Sequence, residues 1–298
     1  MPSTREMRQR IRSVKNIGQI TQALATVSAS RVKKAMQAEI ATRPYTEKAW
    51  QVLVHLTRQP GHSSLHPLLT ERLEVNNILI LMTSSDRGLA GAYNINIVRT
   101  ALNFIKDIDK PVFFVTVGRK GRDLLLRRGK KVVGEFSDLP SPPSFMDVSA
   151  IGRLIVDDYL NKKYDQVYLA YTEFVHMLNQ EPIIRKLLPL DVDFTLERVR
   201  TFEKSPSTHG VYSYEPDQNE ILNQIVPRFT ALQIYQSILS SQASEHAARM
   251  VAMRNATDNS HALISELQLE YNKIRQQAIT NDMLDIAGGA EALTAARS

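Results

Sequence analysis

The sequence predicts an α/β domain combined with a long antiparallel coiled coil that the N-terminal and C-terminal helices form together. Two observations predict this fold class. Glycine and proline are scarce near both ends of the 298-residue chain, and the middle alternates short apolar runs with helical stretches. We therefore expect a coiled-coil helix in residues 1–60, a Rossmann-like α/β domain in 75–200, and a second coiled-coil helix in 215–298 that pairs with the first.

Long uninterrupted helices are predicted at both ends of the chain. Residues 3–43 contain one glycine, Gly18, and no proline, and residues 228–287 contain neither residue type. At ~1.5 Å per residue, a helix of roughly 60 residues would be about 90 Å long. A small globular domain cannot bury such a helix, so it needs a partner of similar length, and the simplest partner is the other terminal helix.

Both ends also place apolar or small residues at alternating spacings of three and four, which is the pattern of a left-handed coiled coil. The predicted seam of the first helix is Met7, Ile11, Val14, Gly18, Thr21, Ala25, Ser28, Val32 and Ala35. The predicted seam of the last helix is Met250, Met253, Thr257, Ser260, Ile264, Leu267, Tyr271, Ile274 and Ala278. The alternative is a pair of amphipathic helices in an ordinary bundle.

A second apolar row lies beside the N-terminal seam. It consists of Ile17, Ile20, Leu24 and Val27. One partner helix would not cover both rows. We therefore expect either a sleeve of other protein around the paired helices or a wider core within the chain.

The middle of the chain has the rhythm of a parallel sheet. Short apolar runs that suit buried strands occupy residues 77–82, 111–117, 131–133 and 166–171. The helical stretches between them occupy residues 95–106, 120–128 and 147–161. Strands that alternate with helices predict parallel βαβ units.

The sequence contains no recognisable catalytic, cofactor-binding or metal-binding motif. It contains no cysteine, which excludes disulfides and zinc–thiolate sites. Residues 84–91 and 118–121 follow predicted strands, where doubly wound folds bind phosphates, but neither segment has a dinucleotide or P-loop glycine pattern. We therefore predict no catalytic residue, no cofactor and no metal site. No apolar run approaches the ~18 residues of a transmembrane helix.

The charge of the chain suggests an anionic partner. The formal net charge is +6 and the sequence pI is about 9.4. Nucleic acid, a lipid headgroup layer and an acidic protein all fit such a surface. The charge alone does not choose among them.

Five segments resemble the gamma subunit of F-type ATP synthases. They are residues 10–21, 85–94, 247–259, 267–276 and 279–290. The resemblance follows the family order over essentially the whole chain. Two departures are Asp282, where the family usually has glutamate, and Ala90, where a cysteine is common. The cysteine-bearing regulatory insertion of chloroplast members is absent.

The resemblance implies a central rotor shaft that couples proton-driven rotation of the membrane c-ring to ATP synthesis or hydrolysis at the alpha and beta subunits. It implies alpha, beta, epsilon and the c-ring as partners, with no nucleic acid. It also implies a non-catalytic subunit that is peripheral to the membrane. The N-terminus does not have the character of a transit peptide, so we expect a bacterial source and a location on the cytoplasmic face of the plasma membrane, although a mature organellar chain would look similar. Two hypotheses from other classes are a nucleotide-dependent enzyme and a nucleic-acid-binding adaptor with a helical arm.

The same resemblance assigns contact residues. The positions expected to transmit torque to the beta subunit are Arg8, Ile11, Arg12, Arg249, Gln276 and Thr280. The positions expected to face the c-ring and epsilon are Arg43, Tyr45, Tyr214, Glu215 and Asp217.

Overall fold

The computed structural model describes residues 3–58, 66–190 and 218–295. In chain order the elements are α1 (Thr4–Arg58), β1 (Ile78–Thr83), α2 (Tyr93–Phe104) with a 3-10 turn (Ile105–Asp107), β2 (Val112–Val117), α3 (Arg119–Leu126), β3 (Lys131–Phe136), α4 (Phe145–Leu160), β4 (Gln166–His176), β5 (Asn179–Leu188) and α5 (Gln218–Ala295). The chain forms two compact units. The first is Met1–Val27 with Met250–Ser298, and the second is Ser28–Arg249. The domain bounds given above stay a prediction.

Helix α1 continues through Pro44, beyond the proline-free stretch that predicted it. Proline lacks the amide that would close a helical hydrogen bond, so the carbonyl of Ile40, four residues earlier, loses its usual donor. The Thr42 hydroxyl donates to the carbonyl of Glu39 at 2.8 Å, and the Thr46 hydroxyl donates to the carbonyl of Thr42 at 3.1 Å. Neither hydroxyl donates to the carbonyl of Ile40, so both bonds lie beside the proline and do not replace the missing one.

The first unit is an antiparallel pair of helices, as the sequence predicted. Contacts at three levels define its register. The Arg8 guanidinium donates to the Tyr271 hydroxyl at 2.8 Å, Gly18 lies against Ser260, and the hydroxyls of Thr21 and Thr257 are 2.7 Å apart. Residue numbers fall along α5 as they rise along α1, so the two helices run in opposite directions.

The centre of this seam contains a buried pair of hydroxyl groups. Besides contacting each other, Thr21 lies 3.0 Å from the carbonyl oxygen of Gly18, and Thr257 lies 2.9 Å from that of Met253. Each hydroxyl has one proton, so one threonine donates across the seam while the other donates to its own helix. Both buried hydroxyls are therefore hydrogen-bonded.

The close approach of the helices depends on Gly18. A Cβ atom added at Gly18 would lie 3.3 Å from the Cβ atom of Ser260, which is already tight. We expect Gly18→Val to lower the free energy of unfolding of the paired helices by about 2 kcal/mol, because a branched side chain must push them apart. Urea unfolding followed by circular dichroism would measure this loss.

Gly288 provides the matched control for that experiment, because an added Cβ atom there would meet nothing within 4 Å. Gly288→Val should change the stability of the paired helices by less than about 0.5 kcal/mol. Equal losses from the two substitutions would show that crowding against Ser260 is not the cause.

The seam prediction is wrong at its last member, Ala278, which is exposed. The register that places Gly18 beside Ser260 brings Ile274 level with Thr4, where α1 begins. Helix α5 therefore extends past its partner. The described residues 275–290, here called the overhang, are all exposed.

Within the first unit, most of the second apolar row remains uncovered. Ile17, Ile20 and Val27 are 53%, 60% and 50% exposed, whereas Leu24 is half-buried. A wider core does not form around this row in the unit to which it belongs.

The second unit contains a five-stranded sheet in the order β3-β2-β1-β4-β5. The first four strands are parallel, which confirms the predicted βαβ arrangement. Strand β5 was not predicted, and it pairs antiparallel with β4. It contains Pro182 and several polar residues, and most of it is only half-buried, so its composition fits an edge strand and not a buried apolar run.

Alternate side chains of the central strand β1 enter two apolar clusters. Leu79 and Leu81 belong to a cluster that contains residues of α4 and α5. Ile78, Ile80 and Met82 belong to the other, which contains residues of α2 and α3. This alternation is the period of two expected of a strand, and it accounts for the continuously apolar sequence of β1.

Candidate functional site

The natural ligand crevice of a doubly wound sheet lies at the carboxyl ends of its strands, where the strand order reverses. Here that position lies beyond β1 and β4, and α5 occupies it. Strand β4 pairs with β1 only as far as Ala170. Beyond that point, the Thr172 amide donates to the Ser241 hydroxyl at 3.3 Å and the Phe174 amide donates to the Ser240 hydroxyl at 3.0 Å.

Tyr93 completes this buried polar cluster. Its hydroxyl lies 2.9 Å from the hydroxyl of Ser241, and the Ser244 hydroxyl donates to the carbonyl of Thr172 at 3.2 Å. Burial, supported by the nearby Glu245 carboxylate, raises the pKa of Tyr93, so the phenol stays neutral. Serine side chains of α5 thus satisfy the amides of Thr172 and Phe174 and the carbonyl of Thr172, which a ligand would otherwise meet.

The amino terminus of α3 is the second position where a phosphate could bind, and its amide groups also have acceptors within the chain. The Arg119 amide donates to the Asp86 carboxylate at 3.1 Å and the Lys120 amide to the Ser85 carbonyl at 3.0 Å. The Gly121 amide donates to the Ser84 hydroxyl at 2.9 Å.

Gly118 makes this packing possible. Its φ is +101°, and a Cβ atom there would lie 2.3 Å from the Ser84 carbonyl oxygen. A glycine is therefore required for the close approach of two backbone segments, which explains its place after β2 without any phosphate.

Arg249, the first of the predicted torque positions, is largely buried in the second unit. Its guanidinium forms an ion pair with Glu245 at 2.7 Å, and its side chain is 11% exposed. It also contacts the carbonyl oxygen of Gly88 and Nδ1 of His246, both at 3.3 Å. The side chain thus fixes the loop after β1 to α5. A contact between Arg249 and a partner subunit stays a prediction.

This environment shifts the pKa values of both Glu245 and His246. Burial raises the pKa of Glu245, while Arg249 opposes that rise. Burial, together with the nearby charges of Arg249 and Arg31, lowers the pKa of His246 to about 4, so its imidazole is neutral near pH 7. The Nε2 atom of His246 lies 2.8 Å from the Ser141 hydroxyl, which links the loop before α4 to α5.

The sequence reasoning missed the roles of Glu245 and His246. One signal was available, because Glu245 and Arg249 are four residues apart and therefore lie on the same face of a helix. The partners from other parts of the chain, such as Ser141, could not be foreseen.

Three further torque positions lie at the start of α1, in the first unit. Arg8 is exposed and bonded to Tyr271, over whose ring its guanidinium carbon lies at 5.7 Å from the centroid. Ile11 is half-buried in the seam, and Arg12 is exposed. Of these three, Arg12 has the side chain that is freest to meet another molecule.

Gln276 and Thr280 lie on the overhang of α5. Both are exposed, and the Thr280 hydroxyl donates to the carbonyl of Gln276 at 2.9 Å. The same segment has four exposed apolar residues. Ile279 lies between Gln276 and Thr280, and Met283, Leu284 and Ile286 follow them. The structure thus brings five of the six torque positions into the first unit and leaves Arg249 in the second.

The predicted c-ring and epsilon positions are only partly described. Arg43 and Tyr45 both lie in helix α1, and Tyr45 is 63% exposed. Tyr214, Glu215 and Asp217 lie outside the described residues.

The described residues offer neither a candidate metal site nor a candidate membrane-spanning helix. In residues 3–58, 66–190 and 218–295, no three histidine, cysteine, aspartate or glutamate side chains are grouped so that they could hold a metal ion. None of the helices described in those ranges has both the length and the apolar character that a membrane crossing requires.

Comparison with known proteins gives matches over nearly the whole chain. The sequence model of the ATP synthase family matches residues 3–293. The chain is 45% identical over 294 residues to the ATP synthase gamma chain of Dehalococcoides mccartyi strain CBDB1, covering 98% of this chain and 100% of that one. It is 42% identical over 298 residues to the ATP synthase gamma chain of Chloroflexus aurantiacus strain J-10-fl, covering 99% and 100% respectively.

Solved structures share the fold. A chain of the rotor of the Euglena gracilis mitochondrial ATP synthase matches with a TM-score of 0.63 at 18% identity, over 93% of this chain and 98% of that one. A chain of the central stalk and c-ring of the Tetrahymena thermophila mitochondrial ATP synthase matches with a TM-score of 0.59 at 24% identity, over 80% and 99%.

Proposed function

The chain belongs to the ATP synthase gamma-chain family, and on this premise we propose that it is the central rotor shaft of an F-type ATP synthase. In this role it turns with the membrane c-ring and drives the catalytic sites of the alpha and beta subunits through their successive states. Rotation couples proton flow to ATP synthesis, or ATP hydrolysis to proton pumping.

The observation that carries this proposal is the overhang of α5. Beyond its pairing with α1, this helix end exposes Ile279, Met283, Leu284 and Ile286 over a short segment. The uncovered row on α1 adds Ile17 and Ile20. Exposed apolar surface of this kind indicates an interaction site, and a surrounding sleeve formed by alpha and beta would cover it.

The proposal also assigns no catalytic step to this chain. The crevice beyond β1 and β4 contains Ser240, Ser241 and Tyr93, and the first-turn amides of α3 donate to side chains and carbonyls of the chain itself. Both positions where the sheet would receive a nucleotide are thus filled by protein. The chemistry would belong to the partner subunits.

The same proposal includes epsilon and the c-ring as partners at the base of the rotor. Arg43, Tyr45, Tyr214, Glu215 and Asp217 are the residues proposed to face them. The complex would hold the chain as a peripheral protein at the cytoplasmic face of the bacterial plasma membrane. The exposed ring of Tyr45 supports this assignment, since aromatic side chains are enriched in protein interfaces.

Native mass spectrometry of the tagged chain, purified from its own membranes, tests the proposal. The expected result is one copy of the chain with three copies each of two larger chains, in a complex that hydrolyses ATP. A lone chain or a homo-oligomer without ATPase partners would overturn the rotor assignment.

The contact residues on the overhang can be tested separately. We expect Gln276→Ala combined with Thr280→Ala to weaken association with the alpha and beta subunits about tenfold, because truncating central interface residues typically costs more than 1 kcal/mol. The stability of the chain alone should not change, since both side chains are exposed. Titration of the purified chain with the alpha–beta assembly would measure the affinity.

Gln277→Ala is the matched control, because Gln277 is an exposed glutamine on the same helix that points in another direction. It should bind as the unmodified chain does. If the control weakens association as much as the double variant, the assignment of Gln276 and Thr280 is wrong.

A further inference from the structure

The turn between α3 and β3 carries an unbalanced cluster of positive charge. Residues 126–131, here called the basic turn, contain Arg127, Arg128, Lys130 and Lys131 and no acidic residue. All four side chains are exposed or half-exposed. In the described part of the chain, no carboxylate forms an ion pair with any of them.

The nearest acidic side chains are already engaged. Asp123 and Glu135 both form ion pairs with Arg122, at 2.7 and 2.5 Å. The loop before β2, residues 106–110, contains two lysines and two aspartates, so it adds no net charge. Arg122 with these two carboxylates carries a net charge of −1, and Asp123 also interacts with the charge of Arg127, so the four cations of the basic turn are only partly neutralised and a net positive charge remains.

The backbone of the basic turn is fixed by a helix cap. Gly129 has a φ of +67°, its amide donates to the Leu126 carbonyl at 3.0 Å, and the Lys130 amide donates to the Leu125 carbonyl at 3.1 Å. This is the Schellman arrangement that ends many helices. Cations near a helix carboxyl end stabilise the helix dipole, which accounts for Arg127 and Arg128 but not for Lys130 and Lys131 beyond it.

Apolar side chains accompany these charges. Leu126, directly before the first arginine, is 53% exposed, and Val133 on β3 is 48% exposed. Basic residues interleaved with exposed apolar residues suit the boundary between lipid headgroups and acyl chains. Clusters of four to eight lysines and arginines are typical of anionic-lipid recognition when they lie on an amphipathic helix or beside a membrane-spanning helix, and this cluster begins at the end of α3.

The observations fit nucleic acid less well. Binding of single strands relies on exposed aromatic rings on which bases stack. The ring of Phe113, which has the Lys131 ammonium 5.7 Å from its centroid, is half-buried in β2. We propose that the basic turn is a docking surface for an anionic lipid headgroup layer. The proposal stands on the turn itself and does not depend on the rotor function.

Co-sedimentation of the full-length chain with lipid vesicles tests this proposal. Vesicles of phosphatidylglycerol mixed with phosphatidylcholine should bind the chain at low salt and release it at high salt, whereas pure phosphatidylcholine vesicles should not bind it. At roughly fivefold in affinity per cation, the R127Q/R128Q/K130Q/K131Q variant should bind several hundredfold more weakly. The charge-keeping variant R127K/R128K/K130R/K131R should bind as the unmodified chain does.

The control variant R10Q/K15Q/K33Q/K34Q removes four exposed cations from α1 and should retain most of the binding. Equal losses in the two glutamine variants, no binding of the unmodified chain to anionic vesicles, or tighter binding to RNA than to vesicles would each overturn the proposal. Should the fourfold variant fail to fold, R127Q/R128Q and K130Q/K131Q test the same point in pairs.

Assembly with the alpha and beta subunits separates this proposal from the rotor assignment. The basic-turn variant should still assemble with them. Loss of vesicle binding with assembly intact supports the docking surface, whereas failure of the unmodified chain to assemble would concern the rotor assignment alone.

Discussion

Replacing Arg249 by methionine is expected to lower the free energy of unfolding by about 3 kcal/mol at mildly alkaline pH, because Glu245 would keep a buried charge without its partner. The two side chains are 11% and 14% exposed and their charged atoms are 2.7 Å apart. The substitution also removes the contact with the carbonyl oxygen of Gly88. Methionine retains an apolar stem, so the loss reports mainly on charge and hydrogen bonding.

The effect of Arg249→Met should depend on pH. Burial already raises the pKa of Glu245 in the folded chain, and removing Arg249 raises it further. A carboxyl group with a raised pKa stabilises the folded state at low pH, and this contribution is lost as the pH rises through its folded pKa. The loss of stability in the variant should therefore be larger at alkaline than at mildly acidic pH, where Glu245 binds a proton.

A double-mutant cycle with Glu245→Gln provides the control, measured by urea unfolding across that pH range. The double variant should be more stable than Arg249→Met alone, since no buried charge remains. A single variant as stable as the unmodified chain, or a double variant no better than the single, would show that the ion pair does not hold the loop after β1.

This prediction changes how assembly experiments on the torque positions should be interpreted. Arg249 has a structural task within the second unit, whereas Gln276 and Thr280 are exposed on the overhang. Weak assembly of an Arg249 variant could follow from loss of stability alone. Variants at Gln276 and Thr280 report on the partner contact more directly.

Replacing Asp165 by asparagine is expected to lower the free energy of unfolding by about 3 kcal/mol, because it breaks a partly buried network that joins several backbone segments. The Arg72 guanidinium donates to the Asp165 carboxylate at 2.8 Å and to the carbonyl groups of Tyr159 and Tyr164. The other carboxylate oxygen accepts from the amides of Asn76 and Asn77. Asparagine supplies one acceptor where two are needed.

The stability provided by Asp165 should also disappear in acid. Burial opposes its charge, but hydrogen bonds from Arg72 and from the Asn77 and Asn76 amides outweigh that effect and lower its pKa. A carboxyl group with a lowered pKa stabilises the fold above its unfolded pKa of about 3.9, and the contribution is lost as the pH falls through the folded pKa.

Thermal unfolding at neutral and acidic pH would measure this effect. Asp157→Asn is the control, because Asp157 is exposed at the end of the same helix that supplies the Tyr159 carbonyl. It should leave the stability near that of the unmodified chain. A similar loss from both substitutions would contradict the role given to the Arg72–Asp165 network.

The local patterns in the sequence were sufficient for most of the fold. The three-four spacing identified the seam because helix geometry repeats from turn to turn, and Gly18 and Thr21 are buried as predicted. Ala278 was misassigned because its neighbours continue the pattern, whereas burial depends on where the partner helix begins. Strand β5 was missed because an edge strand with Pro182 lacks the apolar composition of a buried strand.

The site was less predictable than the fold. The cluster around Arg249 combines residues that are far apart in sequence, such as Gly88, Ser141 and Glu245, and only the folded sheet brings them together. The filled crevice depends on serines of α5 meeting the end of β4. Neither arrangement has a local signature, because each follows from the relative lengths of strands and helices.

The overhang of α5 also affects the conformational entropy that the protein loses when it assembles. Its helical hydrogen bonds receive no support from packing against α1, and isolated helices of such length are marginal in water. Docking into a sleeve would therefore reduce its conformational entropy and subtract from the affinity. Gly288 and Gly289, at which an added Cβ atom would meet nothing within 4 Å, make that reduction larger because glycine has the most backbone freedom to lose. The tightness of the assembled rotor thus depends partly on the helix propensity of exposed residues that lie beyond the pairing with α1.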